Sequence, residues 1–334
     1  MSNTATVLAF DFGASSGRAI RAVYDGQNLT YEEIHRFENV PIEKDGHLCW
    51  DVETLLKEIH TAIQKAGTFD SLGFDTWGVD FGLLDADGHL LANPVHYRDA
   101  RTNGKPEQAA ACMPAEELYA HTGSQIMAIN TLFQLLALQE QESELLQKAE
   151  QILFMPDLFG ALWGAEPVCE RSIASTSQML DPRTGQWSRE VLTAYGLKEN
   201  HFAPLVASGT VTGTLTTGAK IIAVAGHDTQ CASAAMPCAE EDVEHTAFLS
   251  CGTWSLLGTE LDTPILTADS CQSGLSNELG ANGKINYLKN IIGLWLIQES
   301  RREYKRRGQA YSFAELEQQA LAAEPLRSFI DPDA

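Results

Sequence analysis

The sequence predicts an α/β fold in which mixed sheets carry helices on their faces and one plan occurs twice around a cleft. Three observations predict it. The first forty residues hold apolar, β-rich runs joined by tight turns ("TVLAFDF", "GRAIRAVY", "LTYEEIHRFE"), the order expected of hairpins. A helix-periodic run, "DVETLLKEIHTAIQKAG", leads into the strand-like "SLGFDTWGVDFGLLD", and strands mixed with helices in this order build a sheet with helices against it. The opening pattern then restarts. "IIAVAG" ends in "HDT" and the small-residue helix "QCASAAM", and "HTAFLSCGTWSLLGTEL" reads as two strands hinged on "SCGT", as the first two hinge on "GASSG".

Along the chain, "DGQN" (Asp25 to Asn28) signals the turn before the third strand. In the first helix Asp51 is the expected N-cap and Gly67 the expected stop. "DADGH" turns the next strand into "LLANPVHY". Apolar residues three and four apart in "TLFQLLALQEQESELLQKAEQ" predict two helices. "ILFMPD" predicts a short buried strand ending at Pro156, "LFGALWG" one or two helical turns, and "SREVLTAYG" a further helix. "SGTVTGTLTTG" predicts a loop or short strand leading into "AKIIAVAG". Near the end, "YLKNIIGLWLIQESRREYKRRG" predicts one amphipathic helix with "IIGLWLI" on its buried face, and "SFAELEQQALAAE" predicts another.

Composition narrows the function classes. A net charge of −22 argues against nucleic acid or anionic membrane as a general partner, because phosphate backbones require clustered Lys and Arg. A small anionic ligand is still compatible, since backbone amides and one or two cations hold it. The N-terminus has no basic region followed by a long apolar core, so no signal peptide is expected, and no apolar run approaches the ~20 residues of a membrane span. The seven cysteines are scattered without C-x-x-C spacing, which reads as reduced thiols in a cytoplasmic protein.

Four stretches are able to carry chemistry. "DFGASSGR" is neither a P-loop nor G-x-G-x-x-G. It reads as a capped glycine turn or as a phosphate cradle, in which small residues let backbone N–H groups converge on an anion, Ser15, Ser16 and Arg18 add donors, and Asp11 holds a hydrated Mg²⁺. "AGHDTQCASAA" puts Asp228 at a helix start, as an N-cap or as a general base for a hydroxyl. "DTWGVDFG" offers Asp75, Trp77, Gly78 and Asp80, either a strand end with a buried Trp or acceptors and an aromatic face for a sugar. "YRDARTNG" reads foremost as an exposed ion-pair cluster of Arg98, Asp99 and Arg101. The basic run Arg301, Arg302, Lys305, Arg306 and Arg307 reads as cations opposing a helix dipole. No histidine spacing matches a metal motif, and no G-x-S-x-G is present.

Taken in order, "DFGASSGR", "DTWGVDFGLLD", "YRDARTNG", "MPDLF", "GHDT", "SCGTWSLLG" and "LKNIIGLWLIQ" resemble the rhamnulokinase branch of the FGGY carbohydrate kinases, within the actin/hexokinase superfamily. The resemblance runs from Val7 to the last residue, and the joint order of the motifs is more specific than any one of them. It implies an actin/hexokinase-like (ribonuclease H-like) two-domain fold. Residues 1–240 would form the sugar- and phosphate-binding domain, and 241–334 the first part of an ATP-binding domain. It also implies transfer of the γ-phosphoryl of ATP, with Mg²⁺, to the 1-hydroxyl of L-rhamnulose. By motif matching, Ala14, Ser15, Ser16, Gly17 and Arg18 would line the phosphate turn, and Thr253 and Gln298 would meet ATP. Gly78, His227, Asp228, Thr229 and Asn290 would meet the sugar, with Asp228 as base and Asp11 near the metal.

Members of that family are longer than this chain, and the expectation is a second domain that lacks its later adenosine-holding segment. Such a chain is expected to bind ATP poorly and turn over slowly. The rival readings are a non-catalytic fragment that binds a sugar or associates with a partner through its exposed second domain, and an ATPase of chaperone or actin type. "DTWGVDFG" and "GHDT" count against the ATPase, which needs no sugar pocket. L-fuculose and L-xylulose are the alternative ketoses.

Overall fold

The computed structural model describes residues 4–331. Its larger sheet is built from β1 (Ala5–Phe12), β2 (Ser16–Tyr24), β3 (Leu29–Glu38), β4 (Ser71–Thr76), β5 (Thr210–Thr214) and β6 (Lys220–Ala223). Their spatial order is β5-β6-β4-β1-β2-β3. β1, β4 and β6 run parallel, and β2, β3 and β5 run antiparallel to their neighbours. The expected mixed sheet is therefore present. The parallel trio has the consequence that matters: its three C-terminal ends open side by side, where open α/β sheets bind ligands.

Helices α1 (Val52–Ala66) and α3 (Met155–Leu162) pack against this sheet, and α2 (Thr131–Gln141) shares its hydrophobic core. α1 buries Val52, Leu55, Ile59, Ala62 and Ala66, spaced three and four apart, so one stripe faces the core. Its cap is the expected one, with Asp51 accepting from the Thr54 N–H at 3.2 Å and Gly67 closing it at φ 67°. Phe10, Phe12 and Phe74 from the strands meet Phe159 of α3, with Phe12 and Phe159 stacked at 4.7 Å between centroids. Each fully buried ring of this kind contributes about 1.5–3 kcal/mol. Pro156 lies in the first turn of α3, where its missing N–H costs nothing.

The smaller sheet comprises β7 (Ala247–Cys251), β8 (Trp254–Leu261), β9 (Leu275–Leu279) and β10 (Ile285–Ile292), in the order β7-β8-β10-β9. The two strands expected on either side of "SCGT" are β7 and β8. The helix expected from Tyr287 does not form there. Ile285–Ile292 is a strand paired on both sides, and the helix α5 (Trp295–Arg306) starts only after Gly293. The β-branched residues of "INYLKNII" fit a pleated strand between two partners, and Leu288 is fully buried there beside Leu256 and Phe248. "IIGLWLI" is thus a strand end and a helix start with no fully buried residue, and Leu294 and Ile297 are exposed.

The second expected terminal helix is present as α6 (Phe313–Ala322), with a capping box between Ser312 and Glu315. The basic run lies along α5. Arg306 and Arg307 pair with Glu303, and Arg302 pairs with Glu299, so it is a solvated helix face.

β9 is an edge strand, yet its backbone groups are satisfied by the larger unit. Asn277 N–H donates to Gly123 O at 2.8 Å, and Leu279 N–H donates to Ser175 Oγ at 3.0 Å. Ser276 Oγ accepts from the Gln125 N–H at 2.9 Å. These contacts fix the smaller sheet against the mouth of the larger one. Among the described residues no helix is long and apolar enough to cross a membrane.

Candidate functional site

A cavity of about 370 Å³ opens where the two sheets meet, within the size range of small-molecule sites. Its floor is the C-terminal ends of the parallel strands. β1 delivers Asp11, β4 runs out into Trp77 and Gly78, and the chain beyond β6 delivers His227 and Asp228. An isolated bridge between Thr76 and His227 carries the parallel pairing one step past the sheet, which sets Gly78 next to His227. A Cβ on Gly78 would come within 3.3 Å of Thr176 Cγ2 and 3.5 Å of His227 Nε2.

The two hinges line the same cavity. In the first, Gly13 N–H bonds Ser16 O at 2.9 Å, and buried Asn39 braces the turn by donating its side-chain amide to Gly13 O and its N–H to Ser15 O. In the second, Leu294 N–H bonds Gly252 O and Trp295 N–H bonds Thr253 O, so the start of α5 holds the turn. Gly293 is required for that approach, because its Cβ would lie 2.6 Å from Ser255 Oγ. Among the described residues, the backbone N–H groups of Ala14, Ser15 and Thr253 have no protein acceptor. Two turns with uncommitted N–H groups thus line one cavity, the donor arrangement that an anion requires.

Asp228 sits at the first position of α4 (Asp228–Ala234), and His227 is the cap residue instead. The Asp228 side chain keeps 39% of its surface open. Its Oδ1 accepts from Thr229 N–H at 2.6 Å and lies 3.5 Å from His227 Nε2. Burial pushes the Asp228 carboxyl up, against His227 and Thr229, which hold it down. Because the group opens into the cavity, the burial effect is only partial. A carboxylate of raised basicity that is still accessible suits a general base.

Of the expected site residues, Asp11, Ala14, Ser15, Arg18, Gly78, His227, Asp228, Thr229, Thr253 and Asn290 all line this cavity. Ser16, Gly17 and Gln298 do not. Ser16 begins β2 and closes the turn through its carbonyl. Gly17 is a packing position: a Cβ there would meet the Phe37 ring at 2.3 Å. Gln298 stands one shell out, with its amide 3.3 Å from Thr253 Oγ1.

Two motif readings change. Asp80 is fully buried and accepts Trp50 Nε1, Trp77 Nε1, Gln134 Nε2 and the Tyr97 N–H, so it fixes the wall of the cavity and offers nothing to a sugar. Burial raises its pKa to about 6 against the pull of those four donors. Asp75, paired in register with Asp11, also lies outside the cavity lining, and burial together with the Asp11 and Asp228 carboxylates holds its pKa well up. "YRDARTNG" is not an exposed cluster either. Arg101 is buried and donates to Gln134 Oε1 at 2.9 Å, while Arg98 lies over the rings of Tyr97, Trp254 and Trp295.

Val79, between Gly78 and Asp80, has φ 68°, a conformation strained for a β-branched residue. Thr176 Oγ1 accepts from its N–H, and Thr131 Oγ1 and Gln134 Nε2 donate to its carbonyl, which together hold it there. Thr176, Gln134, Glu278 and Gln125 had no signal in the sequence, because each reaches the site from a distant segment.

Asp11 is the residue able to hold a divalent cation beside the turns. Arg18 Nη2 and Nε both contact Oδ2, at 2.6 and 2.7 Å, which leaves Oδ1 without a protein donor. Among the described residues, the one grouping of three metal-type donors within 4.8 Å is Asp85, Asp87 and His89, outside this cavity. A single free carboxylate oxygen beside two turns with uncommitted N–H groups fits Mg²⁺, which keeps its waters and takes few protein ligands.

The profile of the FGGY family of carbohydrate kinases, N-terminal domain, matches residues 6–234, and that of the family's C-terminal domain matches residues 247–334. The chain belongs to the FGGY family of carbohydrate kinases. It is 40% identical over 339 residues to a rhamnulokinase of Bacteroides thetaiotaomicron, covering 98% of this chain and 68% of that protein. It is likewise 40% identical to a rhamnulokinase of Enterococcus faecalis, covering 98% and 67%. In fold this FGGY chain is similar to a ligand-bound xylulose kinase from Lactobacillus acidophilus (TM-score 0.72, 15% identity, 89% of this chain and 62% of that one). It is also similar to Plasmodium falciparum glycerol kinase with ADP (TM-score 0.71, 15% identity, 88% and 63%). The chain spans about two thirds of the length of the curated relatives it matches, and slightly less of the solved ones. The two-domain actin/hexokinase-like fold expected from the motifs is the fold of these neighbours.

Proposed function

We propose that this FGGY chain serves transfer of the γ-phosphoryl of ATP to the 1-hydroxyl of L-rhamnulose, yielding L-rhamnulose 1-phosphate and ADP. The observation that carries the reading is the position of Asp228 in one cavity with both glycine hinges. The rhamnulokinase names of its relatives supply the sugar. The remaining roles follow from chemistry. The sugar lies over Gly78, where the missing side chain leaves room, with His227, Thr229 and Asn290 around its hydroxyls. The N–H groups of Ala14, Ser15 and Thr253 hold the phosphate oxygens between the two turns, and Arg18 adds a cation. Asp11 Oδ1, with the phosphates, would hold Mg²⁺, which offsets charge on the β- and γ-oxygens.

Asp228 accepts the proton of the attacking hydroxyl. The sugar oxygen bonds to the γ-phosphorus as the bond from phosphorus to the β–γ bridging oxygen breaks, and ADP leaves with that electron pair. Such a reaction is driven by positioning and electrostatics more than by covalent catalysis, which suits a site made largely of turns. The scattered, unpaired cysteines fit the cytoplasm as the expected location. The test is a coupled ADP-release assay on the chain with L-rhamnulose, L-fuculose and L-xylulose, set beside sugar binding by calorimetry. L-rhamnulose-dependent ADP release, lost in Asp228→Asn while sugar binding persists, is the expected result. Absence of rhamnulose binding, or full activity in the Asn variant, overturns the reading.

A further inference from the structure

His227 joins the two sheets through both of its ring nitrogens. Nδ1 lies 2.9 Å from Glu278 Oε2, on β9 of the smaller sheet, and Nε2 lies 3.5 Å from Asp228 Oδ1 on the larger unit. Glu278 is buried, and its Oε2 also accepts Gln230 Nε2 at 2.7 Å, so that oxygen acts as an acceptor. Either neutral tautomer of His227 would turn a lone pair toward a carboxylate oxygen. The imidazolium satisfies both sides at once.

We propose that Glu278 is the positioning residue for the Asp228 base: it orients His227 so that Nε2–H is presented to Asp228, and it makes that arrangement depend on the smaller sheet being docked. The proposal rests on the reading of Asp228 as base, but its geometry does not depend on which sugar is bound. The charged groups around the ring are Glu278 on β9, Asp228 on α4, and Glu170, which bonds the Gly226 N–H at 3.0 Å. Asp11 acts on Asp228 from β1, and Asp75 lies beside Asp11 on β4. Burial alone would lower the His227 pKa, but Glu278, then Asp228 and Glu170, raise it to about 9 from an ordinary 6.5. A cation beside Asp228 keeps that carboxylate ionised at neutral pH. Without Glu278 the ring becomes neutral in the working range, and Asp228 loses its counter-charge.

The test is a histidine-selective NMR titration of the whole chain without ligands, with His227 assigned by comparison with His227→Gln. In the parent chain the His227 ring stays protonated past pH 8. In Glu278→Gln its midpoint falls by about one to three pH units. Gln230→Met removes a donor from the same carboxylate oxygen but leaves the charge, so its His227 midpoint stays put or rises. A purely structural role for Glu278 would move both variants alike. An ordinary His227 midpoint in the parent chain overturns the proposal even if Glu278→Gln does not fold, and so does an unchanged midpoint in that variant. The kinase reading is judged separately, by ADP release.

Discussion

Trp50→Phe isolates one of the hydrogen bonds that hold the wall of the cavity between the sheets. Trp50 Nε1 donates to Asp80 Oδ2 at 2.6 Å, and its ring packs against Trp77 at 3.9 Å between centroids, tilted by 32°. The substitution keeps an aromatic ring and deletes the donor. A bond to an ionised carboxylate contributes about 1.5–3 kcal/mol, and one to a neutral acid about 0.5–1.5. Asp80, with its pKa raised to about 6, passes between those states within an accessible range.

The sign follows from proton binding. A carboxyl whose pKa is higher folded than unfolded holds its proton more tightly in the folded state. Its contribution to stability therefore falls as pH rises from about 4 to about 6 and is constant above. The Trp50 bond limits that fall, so deleting it costs more at high pH. The loss of packed volume is the same at every pH. Urea denaturation of the parent chain and of Trp50→Phe, at pH 5 and at pH 8, should show a destabilisation larger at pH 8 by about 1–1.5 kcal/mol. Equal destabilisation at the two values would mean that the bond does not bear on the Asp80 charge, and the reasoning would fail.

Gly17→Ala places a methyl 2.3 Å from the Phe37 ring and should destabilise the chain by about 1–3 kcal/mol, read as a shifted urea midpoint with L-rhamnulose affinity kept wherever the chain is folded. Gly78→Ala crowds Thr176 and His227 at the cavity floor. Calorimetry should show L-rhamnulose affinity reduced ten-fold or more, as expected when ~1.4 kcal/mol is lost, with little change in melting temperature. Asp228→Asn should lower phosphoryl transfer by about 10²–10⁴-fold, the usual contribution of a general base, without a matching loss of sugar affinity.

The larger sheet was readable in the sequence because its strands announce themselves locally. "DGQN" turns β2 into β3, and the caps of α1 stand at Asp51 and Gly67. Both glycine hinges and Asp11 were readable for the same reason, a strand end followed by a turn, and the "HDT" triplet because it opens a small-residue helix. The misread stretch, residues 287–292, lacks that local signal. Its short apolar run fits either period, and pairing with β8 and β9 decided the outcome. The role of Asp80 was hidden because its donors come from Trp50, Tyr97 and Gln134, in three separate segments. Glu278 lies 51 residues from His227 in a strand with no motif of its own. Contacts of this kind are set by how the sheets dock, which no spacing in the sequence encodes.

The most direct test of the account is a crystal structure of this chain soaked with L-rhamnulose. The ketose should lie over Gly78, with its 1-hydroxyl within hydrogen-bonding distance of Asp228 and directed at the gap between Ala14–Ser15 and Thr253. Sugar bound on another face, or in this cavity with its 1-hydroxyl turned away from Asp228, would contradict it.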